Sequence, residues 1–599
     1  MEPTTAAREA TDAATIAEAF RITAARHAEE VAIRTRGDEV AWTWGELRAR
    51  VDALAGGLAA LGLQRGECVA LLLSNRPEFH LCDLAVVTAG GTPFSIYQTS
   101  SPEQIQYVVS DAAARIVITE ARYLAQVRAA AHALGEQVRH VVLVDGDGGE
   151  AGTTPLADVE ASGAGFDAAA AVARIGPDDV LTLIYTSGTT GPPKGVMLAH
   201  RNLMAAVQGI EALIRFPRGG RVISWLPSAH IAERAAHHYL PVVYGLQVTT
   251  CPDPREVLQY LPEVRPSWFF AVPRIWEKLK AALEAMLAQQ PDQARAKAQQ
   301  ALEASLRKVR LEQRGEPVPD ELAAAVARAD EELFAGLRTM LGFDAAEVVN
   351  VGAAPTPVEV IEFFHAIGVP LAELWGMSET CGAGACNPPD AIRIGTVGPA
   401  TPGGELRIAA DGELLVRSDF VMLGYRNQPE KTAEALDADG WLHTGDIAEM
   451  DDDGYVRIVD RKKEIIISAG GKNMSPANIE AQLKAASPLI GQVCAIGDGR
   501  RYNTALIVLD ADFAPAWAAR HGIVDASLEA LAGDERVRAA VQEGVDAANA
   551  RLARVEQVKR FHLVAGDWQP GGDELTPTMK LKRRPIAEKY AAAIEALYD

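Results

Sequence analysis

The chain has 599 residues, of which 48% are hydrophobic and 23% are charged, an ordinary composition for a globular protein of several domains. Its formal net charge of −22 argues against nonspecific nucleic-acid binding and against electrostatic docking on an anionic membrane, because both need a basic surface. No apolar run reaches the ~18 residues that a transmembrane segment needs, and six scattered cysteines favour free thiols in a reducing cytoplasm.

Helix and strand patterns alternate from about residue 13 to residue 265. Apolar residues at helical spacing predict a helix over 44–61 that ends at Gly62, and a second helix over 77–88. Pro77 suits a first helical turn, because its missing N–H would be unpaired there anyway. Short apolar runs predict buried strands at 68–73, 116–119, 141–144 and 180–184. This order predicts stacked α/β layers.

Residues 279–341 have a different composition, rich in Ala, Gln, Glu, Lys and Arg and nearly free of β-branched residues. A break from Gly315 to Pro319 divides the segment, and Asp320 is a candidate N-cap for its second half. We therefore predict a helical hairpin inserted between two strands. It is either an interaction arm or a solvated helical excursion.

The pattern changes again after Pro402. Residues 412–417 and 454–459 are predicted to be hairpin strands. Strands at 463–468, 493–497 and 505–510 then alternate with helices, and the tail at 582–598 is predicted to be a basic and then amphipathic helix. A smaller domain from about residue 460 to the end of the chain follows from this pattern.

The densest functional signal is the segment YTSGTTGPPKGV at 185–196, directly after the predicted strand at 180–184. Glycines, hydroxyls and one lysine in this order can surround an anion with backbone N–H groups, side-chain hydroxyls and an ammonium. Pro193 precedes Lys194 where a Walker A loop needs glycine, so the segment is not a P-loop. The alternative is a solvated, flexible loop.

This segment resembles the signature of the AMP-forming adenylate (ANL) superfamily, which includes acyl-CoA synthetases, firefly luciferase and nonribosomal adenylation domains. The superfamily pattern [ST]-[ST]-G-[ST]-T-G-x-P-K-G matches every position from Thr186 to Gly195. Further stretches match in the superfamily's order over nearly the whole chain: LPSAH at 226–230, VPRIWEK at 272–278, GAAP at 352–355, LWGMSET at 374–380, WLHTGD at 441–446, DRKKE at 460–464 and LTPTMKLKR at 575–583. The second and last of these are similar to long-chain fatty acyl-CoA synthetases.

The resemblance implies an α/β fold in two parts. A large multilayer N-terminal domain, with stacked α/β sheets and a small β-barrel-like subdomain, would cover residues 1–459 and carry the helical insertion at about 279–341. A hinge at 460–463 would join it to a smaller, mobile α+β C-terminal domain at 464–599. The small domain would rotate between two half-reactions, with Lys463 as the pivot.

The resemblance also implies the activity: ATP-dependent conversion of a carboxylic acid to acyl-AMP, with release of pyrophosphate, followed by transfer of the acyl group to CoA. Mg²⁺ and ATP would be needed, with CoA as a co-substrate. The matching ATP-binding residues are Thr186, Ser187, Gly188, Thr189, Thr190, Gly191, Lys194, Gly352, Ala353, Ala354, Pro355, Trp375, Gly376, Met377, Ser378, Asp446 and Arg461.

Individual roles follow from the same matches. Lys580 would reach the α-phosphate and the substrate carboxylate during adenylation, and is preferred over Lys582 by the alignment of the last motif. Glu379 and Lys194 complete the catalytic set. Thr186 and Glu379 would hold Mg²⁺, while Trp375 covers the adenine and Asp446 accepts the ribose hydroxyls. The acyl and CoA side would be formed by His230, Gly470, Gly471 and Lys472.

The sequence departs from the superfamily at Trp375, where Tyr is usual, and at Ser378, where Thr is common. Two other patterns suggest metals and are rejected. Residues 449–454 nearly fit an EF-hand loop but lie between strand patterns, so a hairpin turn is predicted instead. His230, His237 and His238 lack the thiol or carboxylate spacing of a zinc site.

Several alternatives stay open at this stage. The acid is expected to be a long- or medium-chain fatty acid, but an aryl, sterol-type or polyketide acid fits the same motifs. The acceptor could be the phosphopantetheine of a carrier protein, and a noncatalytic nucleotide-binding relative is the alternative outside the enzyme class. Oligomeric state, monomer or homodimer, and peripheral membrane contact are also open.

Overall fold

The computed structural model describes residues 9–146, 150–186, 192–468 and 473–599. Its α-helices are Ile16–Arg26, Trp44–Ala60, Pro77–Thr88, Pro102–Asp111, Leu124–Leu134, Leu156–Ser162, Ala168–Val172, His200–Leu213, Ile231–Glu233, Leu240–Tyr244, Val257–Val264, Pro273–Ala288, Asp292–Gln313, Asp320–Ala329, Ala335–Leu341, Val358–Ala366, Pro429–Ala435, Pro476–Ala486, Phe513–Arg520, Leu528–Gly533, Glu535–Asn549, Arg583–Lys589 and Ala591–Ala596. Short π-helical segments are Arg234–Tyr239 and Asp330–Phe334. None of the helices in these ranges is long and apolar enough to cross a bilayer.

The largest sheet has eight strands and contains the predicted apolar runs of the first half. Its central strands are parallel, and the two strand pairs at one side are antiparallel, with Thr186 opposite Lys194 in the inner of these pairs. Its strands lie in the order Gly424–Tyr425, Lys194–Ala199, Val180–Thr186, Thr92–Ser95, Cys68–Leu72, Ile116–Thr119, His140–Leu143 and Thr154–Pro155. The strands Val180–Thr186 and Lys194–Ala199 therefore bring Thr186 and Lys194 side by side.

Two further sheets of four strands each complete the α/β layers. The strands of the first are Arg221–Ser224, Gln247–Thr250, Val31–Thr35 and Ala41–Thr43. Those of the second are Trp268–Ala271, Val348–Val351, Leu371–Gly376 and Gly384–Cys386. Because the first three strands of the second sheet run parallel, their carboxyl ends lie at one edge.

The last third of the chain is built from smaller sheets. The strands Gly404–Ile408, Glu413–Ser418, Leu442–Met450 and Val456–Arg461 form an antiparallel sheet in that order. The two predicted hairpin strands both belong to it, with the long third strand between them. The remaining strands form a pair, Ile466–Ile467 with Asn473–Met474, and a three-stranded sheet, Ile490–Ile496, Asn503–Leu509 and Val558–Leu563.

Local sequence accounts for many helix ends. Thr43 and Glu46 form a capping box at the start of Trp44–Ala60, so both side chains satisfy backbone N–H groups of the first turn. The helix Pro77–Thr88 begins and ends as predicted. Two predictions near helices were wrong. Asp320 is the first helical residue rather than the cap, because Pro319 holds that position, and the tail forms two helices separated at Tyr590.

The insertion at 279–341 does lie between two neighbouring strands, as predicted. Its first half consists of two helices, since Pro291 separates Pro273–Ala288 from Asp292–Gln313. The second of these packs on helix Val358–Ala366: the Ser305 hydroxyl donates to the Ala366 carbonyl at 2.6 Å, and Arg310 pairs with Glu362 at 2.7 Å. The insertion is therefore anchored to the α/β layers along one side.

Buried apolar side chains fall into clusters that follow the chain order. The largest cluster contains residues from Ala10 to Leu442, whereas two others contain only residues from Ile466 onward. A small cluster of Leu414, Ala448 and Val456 packs against Trp375. The antiparallel sheet of 404–461 therefore lies over the carboxyl edge of the strand Leu371–Gly376.

Candidate functional site

The strand Leu371–Gly376 and the tight turn after it bring one group of predicted residues to a sheet edge. Ser378 and Glu379 are buried in this turn. A Cβ on Gly376 would lie 2.2 Å from the carbonyl oxygen of Gly382, and one on Gly352 would lie 2.9 Å from that of Leu374. Both positions therefore need glycine. Because strand Val348–Val351 is the parallel neighbour, the predicted loop at 352–355 ends beside Trp375.

Trp375, Asp446 and Arg461 form a connected group. The indole Nε1 of Trp375 donates to Oδ2 of Asp446 at 2.9 Å, and Arg461 Nε lies 2.9 Å from Oδ1 of the same carboxylate. Arg461 also donates to the carbonyl of Thr444 at 3.0 Å. Burial raises the pKa of Asp446, and the charge of Arg461 opposes that shift. The Trp side chain replaces the usual Tyr hydroxyl with its own N–H donor.

A second group contains Glu379, Tyr425 and Lys194. The Tyr425 hydroxyl donates to Glu379 Oε1 at 2.8 Å, and the Lys194 ammonium lies 4.0 Å from the centre of the Tyr425 ring. The Thr186 hydroxyl faces the carbonyl of Lys194 at 3.5 Å. Burial lowers the pKa of Lys194, partly offset by the charge of Glu379, while the charge of Lys463 lowers it further.

Tyr425 was missed by the sequence reasoning. It belongs to the two-residue strand Gly424–Tyr425, which adds to the edge of the largest sheet beside Val196 and Met197. A signal existed in the sequence, since an isolated Gly-Tyr pair follows the apolar residues 420–423. Its partner Glu379 is 46 residues away, so the contact itself had no local signature.

Lys580 comes from the far end of the chain. A turn with Met579 at φ 65° presents it, and the Lys580 backbone N–H donates to the Thr576 hydroxyl at 3.0 Å. The side chain is solvent-exposed. Surrounding protein atoms partly desolvate the Lys580 ammonium and so lower its pKa, and the charge of Arg461 lowers it further. The carboxylates of Asp446 and Glu379 oppose the shift.

Lys582 is held elsewhere: its ammonium donates to the carbonyl of Gly572 at 2.7 Å. Of the two neighbouring lysines, Lys580 therefore shares the electrostatic environment of Asp446 and Glu379. Lys580 and Glu379 are thus distant in the sequence but lie within electrostatic range of each other in the fold.

His230 precedes a short helix and accepts a hydrogen bond from the Ala232 N–H through Nδ1 at 3.1 Å. Burial, followed by the positive charge of Lys580, lowers the pKa of His230 to about 3. The imidazole is therefore neutral near pH 7. This places the predicted acyl-side residue within the electrostatic reach of Lys580.

Two buried polar networks, also missed by the sequence reasoning, support the segment after His230. Arg234 pairs with Asp83 and donates to the Tyr239 hydroxyl at 2.7 Å, while His238 lies 2.9 Å from Asp83. Glu233 accepts from the Ser224 hydroxyl at 2.5 Å, and His237 lies 2.7 Å from Glu233. Adjacent charged residues at 233 and 234 in an apolar helix were the available signal.

Part of the predicted site lies outside the described residues, namely Ser187, Gly188, Thr189, Thr190, Gly191, Gly470, Gly471 and Lys472. Lys463 is exposed at the end of strand Val456–Arg461. The predicted strand at 463–468 was wrong, because residues 462–464 form a turn and only Ile466–Ile467 pairs. Within the described ranges, no group of three or more His, Cys, Asp or Glu residues is arranged to hold a metal ion.

Comparison with known proteins gives a consistent result over the whole chain. Residues 20–426 match the family described as AMP-binding enzyme, and residues 463–599 match the AMP-binding enzyme C-terminal domain. Mycobacterium tuberculosis fadD11 is 51% identical over 451 residues, covering 75% of this chain and 79% of that protein. The long-chain-fatty-acid–CoA ligase FadD15 of the same species is 36% identical over 570 residues, covering 93% of this chain and 92% of its own length.

The fold comparison agrees. The crystal structure of the anthranilate CoA ligase AuaEII in complex with anthranoyl-AMP superposes with a TM-score of 0.73 at 19% identity. The match covers 98% of this chain and 100% of that structure. The mixed α/β fold with a large N-terminal part and a smaller C-terminal part is thus shared with adenylate-forming enzymes.

Proposed function

Since this chain belongs to the AMP-binding enzyme family, we propose that it is a fatty-acid–CoA ligase that converts a long- or medium-chain fatty acid to acyl-AMP and then to acyl-CoA. The observation that carries the proposal is the connected group of Trp375, Asp446 and Arg461, in which both contacts to the Asp446 carboxylate measure 2.9 Å. Lys580 lies within electrostatic range of this group. The name of FadD15, together with its 36% identity over nearly the full length, supports the choice of acid.

In the first half-reaction a carboxylate oxygen of the acid forms a bond to the α-phosphorus of ATP, and the bond from that phosphorus to pyrophosphate breaks. The nucleophile is already an anion, so the site needs no general base. It must bring two anions together and stabilise the charge on the phosphates. Lys580 and Lys194 supply positive charge from distant positions in the chain.

The nucleoside would be bound by the first group of residues. Trp375 offers a flat ring for the adenine, and Asp446 can accept the ribose hydroxyls while Arg461 holds the carboxylate in place. The glycines at 352 and 376 let the backbone approach closely on that side. Contacts of 2.9 Å connect Trp375 and Arg461 to Asp446, and they hold the ring and the carboxylate in fixed relative positions.

Mg²⁺, when bound, would offset the charge of the phosphates. The donor set fits this ion, because Mg²⁺ at phosphate sites needs only one or two carboxylates besides the nucleotide. Glu379 has one carboxylate oxygen engaged by Tyr425, which leaves the other for the ion, and the Thr186 hydroxyl is a second oxygen donor.

In the second half-reaction the CoA sulfur bonds to the acyl carbonyl carbon, the bond from that carbon to the AMP oxygen breaks, and the thiol proton leaves to solvent. We propose a domain division at residues 460–463, with Lys463 as the pivot about which the C-terminal part turns between the steps. The separate apolar clusters before and after this segment support that division.

The cellular compartment is proposed to be a reducing one. Six buried free thiols support this proposal.

A pyrophosphate-exchange assay with a panel of carboxylates tests the proposal, followed by product analysis with and without CoA. We expect exchange with fatty acids, and acyl-CoA as the product. Exchange only with aryl or sterol-type acids would contradict the choice of acid, and a product formed only on a carrier protein would contradict the acceptor. Exchange that Lys580→Ala leaves unchanged would contradict the mechanism.

A further inference from the structure

Two ion pairs join the part of the chain that carries Lys580 to the larger N-terminal part. Arg274 pairs with Asp510, and Lys278 pairs with Asp512 at 2.7 Å. The two basic residues belong to helix Pro273–Ala288, and the two acidic residues follow strand Asn503–Leu509. Neither pair contacts Asp446, Glu379 or Arg461.

The geometry makes Asp510 the centre of this contact. Its side chain is 10% exposed, and its Oδ1 accepts the backbone N–H groups of Asp512 at 3.1 Å and Phe513 at 2.8 Å. The carboxylate is therefore rigidly held at the start of helix Phe513–Arg520, with Oδ2 directed at Arg274. A fixed, largely buried carboxylate makes a stronger charge-assisted contact than a mobile surface one.

Lys278 lies one helical turn after Arg274, so both cations lie on one face of the helix. The second pair is more exposed, with side-chain exposures of 42% for Lys278 and 80% for Asp512. Asp567 adds a third carboxylate to the same side: its pKa is raised, mainly by burial and further by the charges of Asp510 and Asp512. Arg274, which also pairs with Glu277 of its own helix at 3.2 Å, and Lys278 thus face the acidic residues of the C-terminal part.

From this contact we infer that Arg274 and Lys278 are positioning residues that form a latch, holding the C-terminal part where Lys580 reaches the adenylation site. The latch consists of the Arg274–Asp510 and Lys278–Asp512 pairs. A third pair, Arg551–Glu359 at 2.8 Å, also crosses between the two parts, but at helix Val358–Ala366. The inference rests on the proposed role of Lys580 in adenylation.

The latch acts on a population rather than on the chemistry. A contact made in only one arrangement of the two parts favours that arrangement by its own free energy. Its loss lowers the equilibrium ratio of that arrangement to the others by the corresponding factor. The step that uses Lys580 should slow accordingly, whereas a step that does not use Lys580 should keep its rate. Measuring the rates of both half-reactions therefore distinguishes a latch from a contact that only stabilises the fold.

The test measures each half-reaction in the full-length protein. Arg274→Gln should slow fatty-acid-dependent pyrophosphate exchange about tenfold, while thioester formation from added acyl-adenylate and CoA should change less than about twofold. Lys278→Asp should slow exchange up to about fivefold. Adding Asp512→Lys to it restores the pair with reversed charges, so exchange should recover.

Arg274→Lys keeps the charge and should retain most of the exchange activity. Arg500→Gln is the matched control, because Arg500 pairs with Glu595 inside the C-terminal part; its exchange rate should equal that of the wild type. If Arg274→Gln fails to fold, the Lys278/Asp512 charge reversal still decides the question.

Equal losses in both half-reactions would overturn the latch, as would a Lys278→Asp defect that Asp512→Lys does not repair. Unchanged exchange in Arg274→Gln, alongside lost exchange in Lys580→Ala, would also overturn it while leaving the proposed function intact. Unchanged exchange in Lys580→Ala would instead refute the role of Lys580 and the latch together.

Discussion

The indole Nε1 of Trp375 and the Oδ2 of Asp446, 71 residues apart in the chain, are joined by a 2.9 Å hydrogen bond. The bond links the ring proposed to cover the adenine to the carboxylate proposed to accept the ribose. It also fixes the ring, because Asp446 is held by Arg461 from its other oxygen. Trp375, which stands where the superfamily usually has Tyr, thus supplies a hydrogen bond through its indole N–H.

Trp375→Phe should raise the KM for ATP about tenfold, because it keeps an aromatic ring but removes a hydrogen bond to a charged group worth about 1.5 kcal/mol. The thermal unfolding midpoint should change little, since Trp375 is only half-buried. Steady-state kinetics with varied ATP measure the effect, with the KM for the fatty acid as the internal control. An unchanged KM for ATP would contradict the role of the indole N–H.

Tyr425→Phe removes the hydroxyl that donates to Glu379 but keeps the ring beneath Lys194. We expect the concentration of Mg²⁺ needed for half-maximal exchange to rise about threefold to tenfold, since Glu379 loses the partner that orients it. Titration of the exchange activity with Mg²⁺ measures this. Tyr455→Phe is a control, because that hydroxyl donates to the Ala391 carbonyl at 2.8 Å and contacts none of the proposed metal-binding residues, and it should leave the Mg²⁺ titration unchanged.

The fully buried Arg234–Asp83 pair should be critical for stability rather than for chemistry. Asp83→Asn should lower the free energy of unfolding by about 3–5 kcal/mol, because it leaves a buried guanidinium without its counter-charge. Chemical denaturation followed by circular dichroism measures the loss. The double variant Asp83→Leu with Arg234→Met should be more stable than Asp83→Asn, and a double variant that is less stable would contradict this account.

Glu373 predicts a pH dependence of stability. Burial raises the pKa of Glu373 to about 7, while neighbouring polar groups of Thr356 and Gly395 oppose the shift. The folded protein therefore holds a proton that the unfolded chain releases near its ordinary value of 4.5. The contribution of Glu373 to the free energy of unfolding therefore falls as pH rises from about 4.5 to 7, and it stays low above pH 7.

Glu373→Gln removes this titration, so the variant should gain stability relative to wild type as pH rises from 5 to 8. The gain should be on the order of 2 kcal/mol at pH 8. Urea unfolding of both proteins at the two pH values provides the measurement. A difference in unfolding free energy that stays constant with pH would show that Glu373 does not titrate in this range.

The sequence alone predicted the elements whose signal is local. The helix at 77–88 and the strand at 116–119 match the structure residue for residue, because apolar periodicity and a proline in the first turn depend only on neighbours. Local sequence signals failed where the extent of a strand depends on its pairing with another element. The strand expected at 463–468 pairs over only two residues, and the turn before it includes Lys462, which binds Asp411 and Glu413.

The motifs likewise identified the family, whose match covers most of the chain, whereas the nucleotide-binding residues they indicate stay a prediction. They could not identify Tyr425 or the Asp83 network, whose partners lie 46 and 151 residues away. They also could not reveal that Arg274 meets Asp510, 236 residues further along. Residue types and their spacing determined what chemistry this protein can perform. Which charges face one another was decided by the tertiary structure, because the separation between distant side chains depends on how whole sheets and helices pack.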